Sequence, residues 1–151
     1  MKTYILAMLS SIAITASALA HGGVELGPNG GRLLEFSKNE SMHGEVTVKD
    51  GKFVVALLDK DKKPVALADQ VLTATGGPSN KAAKIAVEKK DGKFVLPVVK
   101  DGDWLILQYK ENAKAKAVTA RMQYDTGECE KCKAAEWLCK CPPAKEGEKK
   151  K

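Results

Sequence analysis

The residues best suited to chemistry are four cysteines that lie close together near the C-terminal end of the chain. They form the motif Cys129-x-x-Cys132 and, six residues later, the motif Cys139-x-Cys141. In an exported chain an even number of cysteines first indicates disulfides. We expect Cys129 and Cys132 to pair with Cys139 and Cys141, because a Cys139–Cys141 bridge would close a strained ring.

A thiolate metal site is the alternative interpretation of the same four cysteines, and the sequence leaves both open. Four sulfurs can hold Zn(II) tetrahedrally, and soft sulfur ligands also suit Cu(I). Thiol redox activity is the least favoured interpretation, since no βαβ pattern surrounds the Cys129-Glu130-Lys131-Cys132 motif.

The two histidines, His21 and His43, form a second candidate metal site. If the chain is cleaved after Ala20, the free amine and imidazole of His21 would chelate Cu(II). His43, which follows Met42, could then supply another imidazole. Copper outranks the other divalent first-row metals for nitrogen ligands, so copper is the expected metal of this site. No nucleophile motif accompanies either histidine, and we expect no enzymatic activity.

The N-terminal residues resemble a secretory signal peptide. Lys2 precedes an apolar run from Tyr4 to Ala16, and Ala18-Leu19-Ala20 matches the small-x-small cleavage pattern. The run is short for a bilayer-spanning helix, so we expect no transmembrane segment after cleavage. The sequence thus predicts a periplasmic or secreted protein.

The formal charge of +6 comes from lysines in turns and in the tail, because Arg32 and Arg121 are the only arginines. Neither an arginine cluster nor interleaved aromatic residues accompany the lysines. The charge therefore does not indicate nucleic-acid binding.

From residue 31 onward, period-two apolar runs alternate with turn residues, which is typical of an antiparallel β protein. Asp50-Gly51 and Asp91-Gly92 each separate two runs, and an Asp-Gly pair in this position indicates a type I′ hairpin. We expect an all-β, immunoglobulin-like antiparallel β-sandwich of about seven or eight strands. The predicted strands are Arg32–Phe36, Glu45–Val48, Lys52–Leu58, Gln70–Thr75, Lys84–Glu88, Lys93–Val98, Trp104–Tyr109 and Lys116–Tyr124.

The alternation also predicts which side chains are buried. Trp104 is the expected central aromatic residue of the core. The other expected core residues are Leu34, Val46, Val48, Phe53, Val55, Leu57, Leu72, Ile85, Val87, Phe94, Leu96, Leu105, Leu107, Val118 and Met122.

Changes in composition divide the chain into five parts. We expect a short helix over Glu128–Lys140, on which Cys129, Cys132, Glu136 and Cys139 would share a face. The predicted parts are a signal peptide at 1–20, an N-terminal segment at 21–30, the β-sandwich at 31–125, a Cys-rich segment at 126–143 and a disordered Lys/Glu tail at 144–151.

Two stretches carry a resemblance to known families. The run Gly27–Glu35, followed by a hairpin and the turn Leu58–Val65, resembles the N-terminal β-domain of periplasmic adaptor subunits of heavy-metal efflux systems. The stretch Asp91–Leu105 is similar to YtkA-like and FixH-like exported sandwiches. These adaptors often carry a His-rich stretch before the first motif, of which only His21 is present here.

The resemblance implies an envelope protein of metal handling without enzymatic activity, whose partners are metal-efflux or metal-delivery proteins. Together with the candidate ligands, it predicts a copper-binding chaperone, sensor or buffer. The alternative is a disulfide-stapled structural or protein-interaction module that binds no metal.

Overall fold

A computed structural model of the protein describes residues 24–141, and its regular structure is almost entirely strand. A single 3-10 turn, Glu136–Leu138, is the only helical element among these residues. The strands are β1 (Arg32–Glu35), β2 (Met42–Lys49), β3 (Lys52–Asp59), β4 (Val71–Gly77), β5 (Ala83–Ile85), β6 (Glu88–Lys90), β7 (Lys93–Pro97), β8 (Trp104–Lys110) and β9 (Val118–Gln123).

The strands form two antiparallel sheets, in the orders β1-β2-β3-β7-β6 and β5-β4-β8-β9. Alternate side chains of both sheets point inward and make one hydrophobic core, so the sheets pack as a sandwich. The predicted all-β class and antiparallel pairing are confirmed, while the immunoglobulin-like assignment stays a prediction. The most deeply buried side chains include Phe36, Val46, Phe53, Val55, Leu57, Phe94, Leu96, Leu105, Leu107 and Met122.

Both predicted Asp-Gly hairpins are confirmed. Asp50 and Gly51 have φ angles of 51° and 70°, and Asp91 and Gly92 repeat these values. Positive φ at both central residues is what a type I′ turn requires, and its twist matches that of the paired strands. The turns fix the registers of β2 with β3 and of β6 with β7.

One predicted strand is interrupted, so its prediction is wrong. The run Lys84–Glu88 divides into β5 and β6, which belong to different sheets. Ala86 and Val87 lie between the two strands, where the chain crosses from one sheet to the other. Residues 24–141 therefore contain nine strands rather than the expected seven or eight.

Two core predictions are also wrong. Val48 is 41% exposed because it lies next to the Asp50-Gly51 turn, at the end of its sheet. Trp104 is only half-buried. Leu105 and Leu107 point inward, so strand alternation turns Trp104 to the outer face of β8. The expected core residues Ile85 and Val87 are partly buried against the core.

The glycine-rich run Gly27–Gly31 packs over a buried carboxylate. Glu45 is fully buried on β2 and accepts hydrogen bonds from the N–H of Asn29 (2.7 Å), its side-chain amide (2.7 Å) and the N–H of Gly31 (3.0 Å). A Cβ atom on Gly31 would lie 2.5 Å from the carbonyl oxygen of Val46. Glycine is thus required here by close packing.

The predicted signal peptide, His21 and the predicted disordered tail lie outside the described residues. Within 24–141, no helix has the length and apolar character needed to cross a bilayer.

Candidate metal centre

The Cys-rich segment is attached to the sandwich from its first residue. The Asp101 carboxylate accepts hydrogen bonds from the N–H (2.7 Å) and hydroxyl (2.8 Å) of Thr126. Both hydrogen bonds lower the pKa of Asp101, and the bond from the backbone N–H has the larger effect. Further along, the N–H of Glu136 bonds to the carbonyl of Gly127 at 2.7 Å. The segment therefore folds back on the end of β9.

Trp137 attaches the same segment to the core. Its side chain is only 6% exposed and lies against Tyr124 and Phe53, with ring centroids 5.4 Å and 6.4 Å away. Its carbonyl accepts a hydrogen bond of 3.3 Å from the Arg32 guanidinium. The next attachment is the N–H of Val24, which bonds to the carbonyl of Cys139 at 3.2 Å. The Cys-rich segment is thus held by β1, by the chain just before β1 and by Tyr124, which follows β9.

The first cysteine pair lies on a tight hairpin loop. The N–H of Cys129 bonds to the carbonyl of Ala134 (2.8 Å), and the N–H of Lys133 returns to the carbonyl of Cys129 (2.9 Å). Lys133 has a φ of 60°, the left-handed conformation that lets the loop close. The loop brings Cys132 back beside Cys129.

The second pair reaches the same place through extended backbone. The 3-10 turn ends at Leu138, and the next residue, Cys139, is extended with φ and ψ of −72° and 120°. Residues two apart in an extended chain point to the same side, so Cys139 and Cys141 both face the hairpin loop. The N–H of Cys141 also donates to the Cys139 sulfur at 3.4 Å.

All four sulfurs lie within 4.8 Å of one another. The Sγ of Cys139 is 3.3 Å from that of Cys129 and 3.5 Å from that of Cys132, and Cys129 is 4.0 Å from Cys141. Four sulfurs bound to Zn(II) at about 2.3 Å in a tetrahedron would be about 3.8 Å apart. The distances between the sulfurs are thus close to those of a tetrahedral thiolate site.

The predicted disulfides and the predicted helix are both absent from this segment. All four cysteines are free in the described part of the chain. Their sulfurs are well beyond the S–S bond length of about 2.05 Å. The expected helix over Glu128–Lys140 is replaced by the hairpin loop, the 3-10 turn and extended chain, so convergence does not depend on a helical face.

The thiols differ in how readily they lose a proton. Hydrogen bonds from the N–H groups of Cys132 and Lys131 stabilise the Cys129 thiolate and lower its pKa to about 7. At Cys139 the N–H of Cys141 also favours the thiolate, but the neighbouring sulfurs and burial outweigh it and raise the pKa to about 12. For Cys141, contact with Cys139 lowers the pKa, and Cys132 and burial raise it overall.

Burial gives the site an inner and an outer side. Cys129 and Cys139 are 7% and 8% exposed, Cys141 is half-buried, and Cys132 is exposed. A bound ion would therefore be shielded by two sulfurs and reachable from solvent past Cys132.

Comparison of the chain with protein-family models, curated proteins and solved structures found no match. The chemistry assigned to the site therefore follows from its own donors and their geometry.

His43 is not part of the sulfur group. It lies on β2 opposite Glu35 of β1, and its Nδ1 is 3.2 Å from a carboxylate oxygen of that residue. Its other expected partner, His21, lies outside the described residues. Among residues 24–141, the structure therefore brings the four predicted cysteine ligands together and leaves His43 apart from them.

Sequence reasoning missed Trp137, which positions the site. A large apolar side chain inside an otherwise charged segment was the available signal, since such a residue buries itself when a core is near. The backbone N–H groups around Cys129 carried no signal, because they depend on the shape of the loop.

Proposed function

We propose that this chain is a metal-binding protein that holds one thiophilic ion, Zn(II) in first place, on Cys129, Cys132, Cys139 and Cys141. The observation that carries the proposal is the convergence of four unpaired sulfurs within 4.8 Å, close to tetrahedral spacing. Two of the sulfurs are buried, and packing against the sandwich holds the segment in place.

The donor set favours Zn(II) over the copper that the histidines suggested. A tetrahedral set of four sulfurs is typical of zinc or iron sites, and Cu(I) is the competing soft ion. Cu(II) would need nitrogen ligands, and the one described histidine is outside the sulfur group. The proposed order of preference is therefore Zn(II), then Cu(I).

A closed four-sulfur site supports a role without catalysis. Catalytic zinc keeps one position open for water or substrate, whereas four thiolates fill the coordination sphere. The signal-like residues 1–20 and the resemblance to efflux-associated domains support a place in the cell envelope. We propose a buffer or chaperone there, which exchanges its ion with metal-efflux or metal-delivery proteins past the exposed Cys132.

Native mass spectrometry of the reduced protein tests the proposal. Titration with Zn(II) should give one tightly bound ion per chain. The mass of the complex should be lower than that of protein plus zinc, because thiol protons are released on binding. A parallel titration with Cu(I), followed by competition between the two ions, decides the preferred metal.

Matched variants assign the ligands. Cys129→Ser or Cys139→Ser should weaken Zn(II) binding by at least about 100-fold, since even the loss of a residue that supports a ligand costs 10–100-fold. His43→Gln is the control and should bind as the unmodified protein does. Binding that survives both cysteine substitutions and is lost with His43 would contradict the proposal.

A further inference from the structure

We infer that the metal site is gated by oxidation: an organic disulfide converts Cys132 and Cys139 into a disulfide, and the bound ion is released. This inference rests on the proposed metal-binding function and adds its regulation. It assigns each cysteine a separate role, taken from exposure and from sulfur–sulfur distances.

Cys132 is the sulfur that a dissolved oxidant meets first. It is the exposed member of the group, whereas Cys129 and Cys139 are buried and Cys141 is half-buried. Disulfide exchange requires the attacking sulfur to approach the S–S bond directly, so access selects the site of reaction. The hairpin loop presents Cys132 on its solvent side.

Cys139 is the sulfur placed to complete the reaction. Its Sγ lies 3.5 Å from the Cys132 Sγ and 3.3 Å from the Cys129 Sγ. Formation of the Cys132–Cys139 bond requires closure from 3.5 Å to about 2.05 Å. Cys132, on the exposed loop, can make this movement. Cys139 is less free to move because it lies two residues after Trp137, whose side chain is in the core.

The reaction balances in two exchange steps. The Cys132 thiolate attacks one sulfur of the organic disulfide; a mixed disulfide forms and one organic thiolate leaves. The Cys139 thiolate then attacks the Cys132 sulfur, and the second organic thiolate leaves. Two cysteine thiolates lose two electrons in total, and the organic disulfide becomes two thiols with protons from solvent.

The ion loses half of its ligands in this reaction. Cys129 and Cys141 remain, 4.0 Å apart, with one of them half-buried. Two thiolates neutralise a divalent cation but leave two coordination positions to water, so the ion exchanges into solution. A dithiol reductant restores all four ligands and the site.

The experiment follows metal release and disulfide formation in the same sample. The Zn(II)-loaded protein is treated with oxidised glutathione, and free zinc is read with a chromophoric chelator. Trypsin cuts after Arg121, Lys131, Lys133 and Lys140, so the four cysteines fall in four different peptides. We expect one zinc ion to be released for each chain that forms its first disulfide, and the peptides of Cys132 and Cys139 to be linked. Zinc binding should recover after reduction.

Two variants separate the roles. Cys132→Ser removes one zinc ligand together with the accessible nucleophile, so oxidation is followed in the reduced, metal-free protein. Consumption of oxidised glutathione should slow by at least about tenfold relative to the unmodified protein. Cys129→Ser keeps the reacting pair and should still give the Cys132–Cys139 bridge. If either variant folds or loads poorly, the first bridge formed in the unmodified protein decides the question.

The outcomes are distinguishable. Failure of the reduced protein to bind zinc, seen before any oxidant is added, overturns the proposed function and this inference with it. Binding without release, or a first bridge other than Cys132–Cys139, overturns the inference alone. Release coupled to the Cys132–Cys139 bridge supports it.

Discussion

Cys129 is set apart from the other cysteines by the backbone around its sulfur. The N–H groups of Cys132 and Lys131 point at it and bring its pKa to about 7. Cys139, surrounded by the other sulfurs, has a pKa raised to about 12. Four sulfurs this close cannot all carry charge unless a cation compensates them, so the metal-free site holds protons that the ion must displace.

Metal affinity should therefore depend strongly on pH. Lowering the pH adds protons to thiols that must be ionised to bind, so affinity falls as pH falls. Between about pH 6 and about pH 8 the apparent affinity should rise by at least about tenfold per pH unit, because more than one proton is displaced. Competition against a chromophoric chelator measures this dependence. An affinity that stays constant across the range would show that the thiols are not the ligands.

Glu45 shows how one residue holds an entire turn. Its buried carboxylate is hydrogen-bonded by Asn29 and Gly31, and the glycines around it lie too close for a side chain. The glycine-rich run Gly27–Gly31 is therefore a packing motif here.

Two replacements of Glu45 should distinguish the loss of its hydrogen-bond acceptors from the loss of its charge. Glu45→Ala leaves buried N–H groups without acceptors and should lower the free energy of unfolding by about 3 kcal/mol. Glu45→Gln keeps one oxygen for the two backbone donors, and its amide can pair with a flipped Asn29 side chain. It should therefore lose clearly less stability. Urea denaturation measures both, and equal losses would contradict this account.

Among the elements, the Cys-rich segment is unusual because it has almost no regular structure and yet is well packed. A hairpin loop, one 3-10 turn and a short extended stretch are held by Asp101, Arg32 and Val24, and Trp137 fills the end of the core. Such a short segment could not bury enough surface alone. The sandwich supplies what it lacks.

The two tryptophans offer a matched comparison. Trp137→Ala should lower the free energy of unfolding by about 3–5 kcal/mol, as expected for a large buried aromatic residue. It should also weaken zinc binding, because Cys139 is two residues away. Trp104→Ala removes a half-buried side chain that contacts Arg121 and should cost about 1 kcal/mol.

Urea denaturation and a chelator competition assay measure both effects on each variant. Similar losses for the two tryptophan variants would show that Trp137 does not position the site.

The strands were predictable because alternation and Asp-Gly turns are local signals. The Cys-rich segment was not, because its cysteines at 129, 132 and 139 also fit helical spacing. The left-handed Lys133 and the hydrogen bonds to Cys129 decide the loop, and neither is visible in residue types alone. The prediction that Trp104 lies in the core was wrong for another reason. Leu105 points inward, so the alternation along β8 already places Trp104 on the outer face.

For the molecule as a whole, the sequence identified the four cysteines as a group but not their state. Spacing alone is compatible with bridges and with a metal. The structure holds four free sulfurs within 4.8 Å of one another, and the shortest distance between two of them, 3.3 Å, is too long for a disulfide bond. The sequence also separated this segment from the sandwich, whereas Trp137 belongs to the sandwich core.

The protein thus combines a β scaffold with a cluster of four free cysteines that is packed against it. Both ends of the described chain meet there, since Val24 bonds to the carbonyl of Cys139. An ion at this position would be carried by the scaffold, shielded on one side and open to exchange on the other.

X-ray absorption at the zinc edge of the reduced, zinc-loaded protein tests the central claim most directly. We expect a single shell of four sulfur atoms at about 2.3 Å and no nitrogen or oxygen in the first coordination shell. A shell dominated by nitrogen or oxygen at about 2.0–2.2 Å would contradict the four-cysteine site.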